Sequence, residues 1–384
     1  MRLLCLTHSL SDVDGVGKYG TEVLRRVAPR FDSVEVLIAR KHRGVSSRLP
    51  DGIDVKVALP PDYLLYVGWP KFLAYSAMSF PKVLAAAGRA DIVHCLSDYP
   101  HALLAVEAAR WRGKPAVVSG HGTYSVAPFR YRGHRALIQR AYGAADALLL
   151  GSSFALSKLE EKAHFDAARV VRYGVDPTEA EGAEAFAPPP GIPARYALTI
   201  GELKERKGHH ISIPGFLAAA RGHDDVHLVV IGNRRDGDPY YEARLAEIRA
   251  AGLEDRVHFV GNVTDEEKLA LLAGAEVFLL TPVTSEEGGF EAFGLVYLEA
   301  NSCGVPTVGI RDSGAIDAIR DGETGLLADV GDVDGVARHL DRLFGDPELR
   351  RRLGAEGVRW ARRNDWDATA EGILQVYEQV MAVK

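Results

Sequence analysis

Two glutamates, Glu291 and Glu299, stand eight positions apart within the segment EEGGFEAFGLVYLEANSCGVPTVG at 286–309. Glu291 precedes a helical pattern and Glu299 lies inside it. Eight residues of helix rise about 12 Å, which roughly matches the reach from a ribose, across a diphosphate, to a hexose. One carboxylate could hold ribose hydroxyls and the other the hydroxyls of a sugar, although a solvated helix with two surface glutamates has the same spacing. The amides at the helix start, which suit a phosphate between the two carboxylates, are those of Phe293, Gly294 and Leu295.

Cations and a histidine follow predicted strands elsewhere in the chain. GELKERKGHH at 201–210 places Arg206 and Lys207 after a strand and at the start of a helix, where two cations and helix amides suit a pyrophosphate. SGHGTYS at 119–125 places His121 at the carboxyl end of another strand. Taken singly, these features also describe an ordinary basic turn and a structural histidine.

A glycine motif near the N-terminus, GVGKYG at 15–20, matches G-x-G-x-x-G. A dinucleotide fingerprint needs its first glycine at the end of strand one and an acid closing strand two. Here six residues separate His8 from Gly15, and the second predicted strand runs into Arg40. The nicotinamide interpretation therefore loses support, with NADP left as an alternative. Gly15 and Gly17 instead suit the approach of backbone amides to a phosphate at a helix start.

Short, continuously apolar runs alternate with helix-length segments, as in parallel sheets that are covered on both faces. The predicted strands lie at 2–8, 33–39, 91–96, 115–120, 146–151, 196–201, 226–232, 256–261, 276–282 and 305–309. The predicted helices lie at 17–29, 99–112, 153–164, 207–221, 238–251, 265–274 and 293–303, and the chain is helical after 331. This order predicts an α/β protein with two successive Rossmann-like domains.

A proline-rich segment, EAFAPPPGIPARY at 184–196, interrupts the alternation and predicts an interdomain linker at 184–195. The predicted domains are an N-terminal domain at 1–183 and a C-terminal domain at 196–362. The segment 363–384 is predicted to be a C-terminal helix. Because ligands of such sheets lie outside the carboxyl ends of the strands, we expect the site in a cleft between the two domains.

The composition excludes several classes of protein. With 47% hydrophobic and 26% charged residues the chain is globular, and its net charge of −6 argues against a nucleic-acid partner. Cys5, Cys95 and Cys303 lie in separate apolar runs, so we expect buried thiols in a reducing compartment. No apolar run reaches the ~18 residues of a membrane span, and MRLLCLTHSL is too short for a signal peptide. We therefore expect a cytoplasmic protein.

Paired aspartates raise the question of a metal. With 52 acidic residues, D-x-D triplets arise by chance, and none of them ends a predicted strand. The triplets are Asp12/Asp14, Asp236/Asp238, Asp332/Asp334 and Asp365/Asp367. We therefore expect that cations and helix dipoles neutralise the phosphates, and that no metal or other cofactor is needed.

An aromatic segment at 61–80 and a basic segment at 128–140 suggest where an acceptor binds, and we expect Tyr124 and Arg130 to contact it. A peripheral contact with the anionic inner face of a membrane is one interpretation of these segments, and a core helix and a solvated turn are the alternative. The aromatic residues are Tyr63, Tyr66, Trp69, Phe72, Tyr75 and Phe80, and the basic residues are Arg130, Arg132, Arg135 and Arg140.

The motif E-x-F-G-[LIV]-V-x-x-E-A, from Glu291 to Ala300, resembles the E-x7-E signature of retaining glycosyltransferases of family 4, which have the GT-B fold. The G-x-G-[KR]-Y loop, HGTY, the R-K-G turn and RYGVD at 172–176 fall in the expected order, so the resemblance covers nearly the whole chain. Two positions depart from the family pattern, namely Glu202, where arginine is frequent, and Asp14, where the loop usually begins with glycine.

The resemblance implies that the domain at 1–183 is on the acceptor side, that the domain at 196–362 binds the nucleotide sugar, and that the helix at 363–384 packs back on the N-terminal domain. It implies that the chain moves a hexose from a UDP- or GDP-linked donor to a hydroxyl of a glycan, lipid or small molecule, with retention and by front-face attack. It implies that the donor phosphates are contacted by Gly15, Gly17, Arg206 and Lys207, and that the amides at 293–295 contact the sugar and the distal phosphate. Glu299 would bind the ribose, Glu291 would bind the 3- or 4-hydroxyl of the transferred sugar, and His121 would contact that sugar near the reacting centre. The base would lie near Asn262 and Val263. An NADP-dependent oxidoreductase and a non-catalytic sugar-nucleotide-binding protein remain alternatives. The base, sugar, acceptor and oligomeric state stay open.

Overall fold

A computed structural model describes residues 1–11, 15–39, 45–61, 66–233, 235–286 and 288–383. The chain forms two compact units, one made of Met1–Tyr173 with Trp366–Lys384 and the other of Gly174–Asp365. Each unit contains one parallel sheet with helices packed on it. This is the α/β architecture with two Rossmann-like domains that the sequence predicts.

The first unit has a seven-stranded sheet in the order β3-β2-β1-β4-β5-β6-β7. Its strands are β1 (Arg2–Thr7), β2 (Ser33–Ala39), β3 (Ile53–Leu59), β4 (Ile92–Cys95), β5 (Ala116–Gly120), β6 (Ala147–Leu150) and β7 (Ala168–Val170). Its first six helices are α1 (Gly15–Val27), α2 (Trp69–Arg89), α3 (His101–Trp111), α4 (Thr123–Val126), α5 (Arg132–Gly143) and α6 (Ser153–Glu160). Every residue of β4, β5 and β6 is buried, because helices cover both faces of the sheet centre.

The second unit has a six-stranded sheet in the order β10-β9-β8-β11-β12-β13. Its strands are β8 (Tyr196–Ile200), β9 (His227–Ile231), β10 (Val257–Gly261), β11 (Val277–Leu279), β12 (Thr307–Ile310) and β13 (Gly325–Ala328). Its helices are α7 (His209–Ala219), α8 (Pro239–Ala251), α9 (Asp265–Gly274), α10 (Leu295–Ser302), α11 (Ala315–Ala318), α12 (Val333–Gly345) and α13 (Pro347–Arg363). The last helix, α14 (Trp366–Ala382), belongs to the first unit and packs against α1.

All ten predicted strands are present, and the prediction missed β3, β7 and β13. These three lie at the edges of their sheets. β3 and β7 are partly solvated, so β3 alternates polar and apolar residues and β7 is only three residues long. β3 and β7 therefore lack the continuous apolar run on which the prediction depended, whereas β13 is apolar and buried but only four residues long.

The division between the units falls between Tyr173 and Gly174, so the proline-rich segment at 184–195 lies within the second unit. A short 3₁₀ helix, Pro177–Ala180, precedes it and packs against α9 and α10, and a second, Ala183–Ala185, overlaps its start and packs against α9. Of the three cysteines expected to be buried, Cys5 and Cys95 are buried, whereas Cys303 is only half-buried.

Candidate functional site

The turn between β8 and α7 holds Arg206 and Lys207 in the second unit. It passes through a 3₁₀ helix, Glu205–Lys207, and reaches α7 through Gly208, whose φ is +72°. A Cβ at Gly208 would fall on the carbonyl oxygen of Thr281, whose hydroxyl donates to the Gly208 carbonyl at 2.7 Å. The basic turn is therefore fixed against the segment after β11, which requires glycine at this position.

Both cations of this turn converge on Glu291. Lys207 Nζ lies 2.6 Å from Glu291 Oε2, and an Arg206 guanidinium nitrogen lies 3.4 Å from the same oxygen. The Glu291 side chain is 14% exposed. Burial opposes its ionisation, but the charges of Lys207 and Arg206 outweigh burial and lower the pKa of Glu291. The site thus holds an ionised carboxylate with two cations.

Helix α10 begins at Leu295, four residues after Glu291, so positions 291–294 form a turn. The 12 Å estimate, which assumed helical rise across all eight positions, is therefore wrong. Gly294, with φ of +80°, starts the helix, and a Cβ there would come within 2.6 Å of the Tyr297 ring. Phe293 is buried beside it, so the three predicted amides do lie at the helix start.

Glu299 lies within α10 and is buried, with Lys268 Nζ 3.2 Å from its Oε2. Burial lowers the pKa of Lys268, but the charge of Glu299 and its hydrogen bond outweigh burial and raise it. Sequence reasoning missed Lys268, because it lies on α9 and a whole strand separates it from Glu299 in the chain. No spacing motif links the two residues.

The turn at Asn262 and Val263 joins β10 to α9, as predicted for a loop that follows a strand. Asn262 is exposed and Val263 is half-buried. The next residue, Thr264, caps α9, accepting from the Glu267 N–H at 3.1 Å while the Glu267 carboxylate accepts from the Thr264 N–H at 2.8 Å. This reciprocal cap fixes the turn from its C-terminal side.

The first unit holds the glycine motif at the start of α1. This helix begins at Gly15, so Gly15 and Gly17 occupy its first turn rather than the loop before the predicted helix at 17–29. A Cβ at Gly17 would come within 2.8 Å of the Ser11 backbone nitrogen, whereas a Cβ at Gly15 would meet nothing within 4 Å. Only Gly17 is sterically required. Four residues discussed above, Asp12, Asp14, Arg40 and Tyr63, lie outside the described residues.

His121 follows β5 directly and is buried, with a protein partner on both ring nitrogens. Nε2 donates to the Leu96 carbonyl at 2.9 Å, and Nδ1 lies 2.8 Å from the Tyr173 hydroxyl. Its backbone N–H donates to Asp98 Oδ2 at 2.8 Å, and the Tyr19 ring meets the imidazole edge-on. These contacts therefore hold the His121 ring in one orientation.

Asp98 is the second functional position that sequence reasoning missed. Its buried carboxylate accepts from the Ser125 hydroxyl at 2.6 Å and the Tyr142 hydroxyl at 2.9 Å, as well as from the His121 backbone. It thereby joins the segment after β4 to the segment after β5. Its place just after a predicted strand was a signal, but its 23-residue separation from His121 gave no motif.

A buried hydrogen-bonded chain lies behind His121. The Tyr19 and Ser119 hydroxyls are 2.9 Å apart, Ser119 Oγ lies 2.8 Å from His94 Nε2, and His94 Nδ1 lies 2.6 Å from the Tyr377 hydroxyl. Burial lowers the pKa of His94 to about 3, so the imidazole is neutral. The chain links α1 and the sheet to α14.

The aromatic segment forms helix α2, in which Phe72 is buried while Trp69, Leu73 and Met78 are exposed. The basic segment is solvated, since its four arginines are exposed, but it forms a 3₁₀ turn followed by α5 rather than a turn alone. Arg140 on α5 pairs with a neighbouring carboxylate, that of Glu107. The two expected acceptor contacts, Tyr124 and Arg130, are both exposed. Among the described residues, no helix is both long enough and apolar enough to cross a membrane.

Several aspartates of the D-x-D triplets have structural roles. Asp238 caps α8 and Asp332 caps α12 through hydrogen bonds to backbone N–H groups. Asp367 pairs with Arg26. In the part of the chain that the structure describes, no group of three or more His, Cys, Asp or Glu side chains is placed to hold a metal ion.

Comparison with known proteins finds a glycosyltransferase family model on each half of the chain. The model of Glycosyltransferase Family 4 matches residues 13–179, and that of Glycosyl transferases group 1 matches residues 187–360. The D-inositol 3-phosphate glycosyltransferase of Acidothermus cellulolyticus is 29% identical, over 97% of this chain and 87% of the relative. The GDP-mannose-dependent alpha-(1-6)-phosphatidylinositol monomannoside mannosyltransferase of Mycolicibacterium smegmatis is 31% identical, over 71% of this chain and 72% of the relative.

Solved structures share the whole fold at low sequence identity. Anabaena HepE in complex with UDP superposes with a TM-score of 0.77 at 18% identity, over 99% of this chain and 100% of the other. Sucrose-phosphate synthase from Thermosynechococcus elongatus superposes with a TM-score of 0.73 at 19% identity, over all of both chains. With two parallel sheets, these similarities show a two-domain GT-B fold. The chain therefore belongs to glycosyltransferase family 4 and is a glycosyltransferase that uses a nucleotide sugar.

Proposed function

We propose that this enzyme transfers a hexose from a UDP- or GDP-linked donor to an acceptor hydroxyl, with retention of anomeric configuration and without a metal ion. The observation that carries the proposal is the convergence of Lys207 and Arg206 on Glu291 at the start of α10. This places two cations, one carboxylate and helix-start amides in one place, which are the groups that an anionic leaving group and a sugar require.

The cations act on the leaving group in this proposal. Negative charge grows on the distal phosphate as the glycosidic bond breaks, and fixed cations and amides lower the barrier electrostatically. Lys207 and Arg206 exchange one anion, the Glu291 carboxylate, for another, the diphosphate. Glu291 is then free to accept hydrogen bonds from sugar hydroxyls.

Retention by front-face attack agrees with the electrostatics of Glu291. In the structure two cations engage the carboxylate, and once they pair with the diphosphate the sugar hydroxyls occupy it, so no free carboxylate is left to attack. A double displacement of the hydrolase type needs a nucleophilic carboxylate beside a second carboxyl group about 5–5.5 Å away. The other carboxylate of the motif, Glu299, is paired with Lys268 and suits the ribose hydroxyls. Glu291 therefore positions the sugar, and the departing phosphate assists the acceptor.

Independence of metal follows from the same two cations, which supply the positive charge that a divalent ion supplies in other sugar-nucleotide sites. The expected result is transfer activity that EDTA does not reduce and that Mg²⁺ or Mn²⁺ does not raise. Loss of activity in EDTA that is restored by a divalent ion would contradict this part of the proposal.

The acceptor is proposed to be a hydroxyl compound with an anionic group, because relatives act on an inositol phosphate and a phosphatidylinositol mannoside by name. Arg130 and Tyr124 are exposed in the first unit and offer a charge and a ring to such an acceptor. Arg130→Ala is expected to raise the acceptor KM for inositol phosphate by ~10-fold, the loss of one charged hydrogen bond. Arg110→Ala, which removes another exposed arginine, is the control, and an equal effect of both would reject Arg130.

A peripheral membrane contact is proposed for the exposed apolar side chains of Trp69 and Leu73, which lie one turn apart on α2. Both are at least 40% exposed, and Lys71 and Lys82 on the same helix are exposed as well. The chain should pellet with anionic vesicles at low salt and be released by salt. A Trp69→Ser/Leu73→Ser variant should stay in the supernatant, whereas Trp111→Ser should still pellet. Absence of pelleting at low salt would reject the contact.

A screen of UDP-, GDP- and ADP-sugars by thermal shift, followed by product analysis, tests the function as a whole. A donor that binds the native state alone raises the melting temperature, and the true donor should also give a product with the donor's anomeric configuration. Stabilisation without turnover on any acceptor would favour the non-catalytic alternative. Stabilisation by NADP alone would favour the oxidoreductase.

A further inference from the structure

Tyr173 ends the N-terminal segment of the first unit and lies directly against His121. Its hydroxyl is 2.8 Å from His121 Nδ1 and 3.1 Å from the Gly120 carbonyl oxygen. The two rings stack with centroids 5.9 Å apart and an interplanar angle of 29°. The Tyr173 ring covers Gly151, where a Cβ would fall on the ring, so Gly151 leaves the room for this arrangement.

The hydrogen bonds of His121 constrain where its protons lie. A carbonyl can only accept, so Nε2, which faces the Leu96 carbonyl, carries a proton in either charge state. In the neutral imidazole, Nδ1 has a lone pair and accepts the Tyr173 hydroxyl proton. In the imidazolium, Nδ1 carries a proton and needs an acceptor. The Tyr173 oxygen is that acceptor once its own proton turns to the Gly120 carbonyl.

We propose that Tyr173 is a positioning residue that keeps His121 fully hydrogen-bonded, and in one place, in both the neutral and the protonated state. The relevance to transfer rests on the proposed function, in which His121 contacts the transferred sugar. Because both ring nitrogens have protein partners, His121 acts on the substrate through its position and charge rather than by exchanging a proton with the sugar.

The groups packed around His121 are compatible with both charge states. The Asp98 carboxylate, which accepts the His121 backbone N–H, favours the cation. Tyr19 on α1 contributes an uncharged ring, and the hydroxyl of Tyr142 on α5 donates to the Asp98 carboxylate. His94 on β4 is neutral, since burial lowers its pKa to about 3, so it does not oppose the cation.

Nuclear magnetic resonance of the full chain with ¹⁵N-labelled histidine tests the proposal without any activity assay. His121→Gln assigns the signal. In the wild type, Nε2 should be protonated at all pH values and Nδ1 should show the shift of a hydrogen-bonded acceptor at high pH. In Tyr173→Phe, Nδ1 should move towards the shift of an unbonded nitrogen. The titration midpoint of His121 should move to lower pH. Tyr173→Phe removes a hydrogen bond from Nδ1 in both charge states, and the bond made by the imidazolium is charge-assisted and therefore the stronger one.

Tyr377→Phe is the matched control, because it removes a buried hydroxyl from another buried imidazole, that of His94, in the same unit. It should leave the His121 signals at their wild-type positions. The proposal is overturned if the wild type carries its proton on Nδ1 alone, or if Tyr173→Phe leaves the Nδ1 shift and midpoint unchanged. The wild-type measurement decides the first point even if a variant fails to fold.

Transfer kinetics separate this proposal from the proposed function. Tyr173→Phe should lower kcat on the acid side of the pH profile and leave the Kd of the nucleotide unchanged. Gly151→Ala, which keeps the hydroxyl but displaces the ring, should act in the same direction. Changed His121 signals with an unchanged kcat profile would keep the Tyr173–His121 coupling and reject the role of His121 in transfer. Unchanged signals reject the coupling, whatever the kinetics.

Discussion

The two units bring together their predicted site residues by different physical means. In the second unit the carboxylates are paired with cations, Glu291 with Lys207 and Arg206, and Glu299 with Lys268. In the first unit His121 lies among uncharged hydroxyls, rings and carbonyls, and the Asp98 carboxylate accepts from two hydroxyls and a backbone N–H.

This difference indicates a division of labour under the proposed function. A cation that is already paired can exchange a carboxylate for a phosphate with little net desolvation, so the second unit suits the anionic part of the donor. A network of neutral hydrogen bonds gives little long-range attraction, but it fixes a ring in one orientation. The first unit therefore suits orientation, and substitutions in the two units should change different kinetic constants.

Glu291→Ala is expected to have the largest effect. It removes the carboxylate that positions the sugar while Lys207 and Arg206 remain for the phosphates, so kcat should fall by ~10²–10³ with a much smaller change in nucleotide Kd. Steady-state kinetics and calorimetric titration with the nucleotide measure the two quantities. Glu286→Ala, an exposed acid of the preceding segment, is the control. If Glu291→Ala weakens nucleotide binding and leaves kcat unchanged, Glu291 holds the nucleotide and the roles assigned to Glu291 and Glu299 must be exchanged.

Lys207→Ala should impair both constants, each by roughly 10–100-fold, because the loss of a charged hydrogen bond costs about 1.5–3 kcal/mol. The charge of Lys207 lowers the pKa of Glu291 more than that of Arg206 does, so that pKa should rise in the variant. Lys204→Ala is a matched control, since Lys204 lies on the same turn, is exposed and pairs with Glu202. If Lys207→Ala leaves the nucleotide Kd unchanged, the basic turn does not bind the diphosphate.

In both units the same physical reason separates what the sequence predicts from what it misses. The turn at Arg206, the Glu291 motif and the strand ends carry local signals, because buried parallel strands are continuously apolar and charged turns follow them. Lys268 and Asp98 carry none, since their partners are brought to them by tertiary packing of separate elements. The residue at which α10 starts could not be predicted from the hydrophobic pattern either, because it is set by the left-handed φ of Gly294.

Glu299→Ala should mainly weaken nucleotide binding, by ~10-fold or somewhat more, because one carboxylate that holds ribose hydroxyls is lost. The same change leaves Lys268 largely buried without its carboxylate partner, so a lower melting temperature should accompany the weaker binding. Isothermal titration with nucleotide, beside thermal unfolding, measures both effects. Glu266→Ala, an exposed acid in the first turn of α9, is the control. Should kcat fall while nucleotide Kd stays at the wild-type value, Glu299 does not hold the ribose.

The smallest expected effect tests whether the fold of the first unit keeps the buried His94 imidazole neutral. His94 has a pKa of about 3 instead of its ordinary value of 6.5, so the unfolded chain binds more protons between these limits. The stability that neutral His94 contributes is complete above pH 6.5 and is lost as the pH falls towards 3, with a slope of up to about 1.4 kcal/mol per pH unit. Urea unfolding at pH 7.5 and 5 should show this loss in the wild type, and His94→Gln should flatten it by about 1–2 kcal/mol. The exposed His164, replaced by glutamine, should keep the wild-type slope. An equally steep slope in His94→Gln would mean that other groups dominate the acid sensitivity and that His94 is not held neutral by the fold.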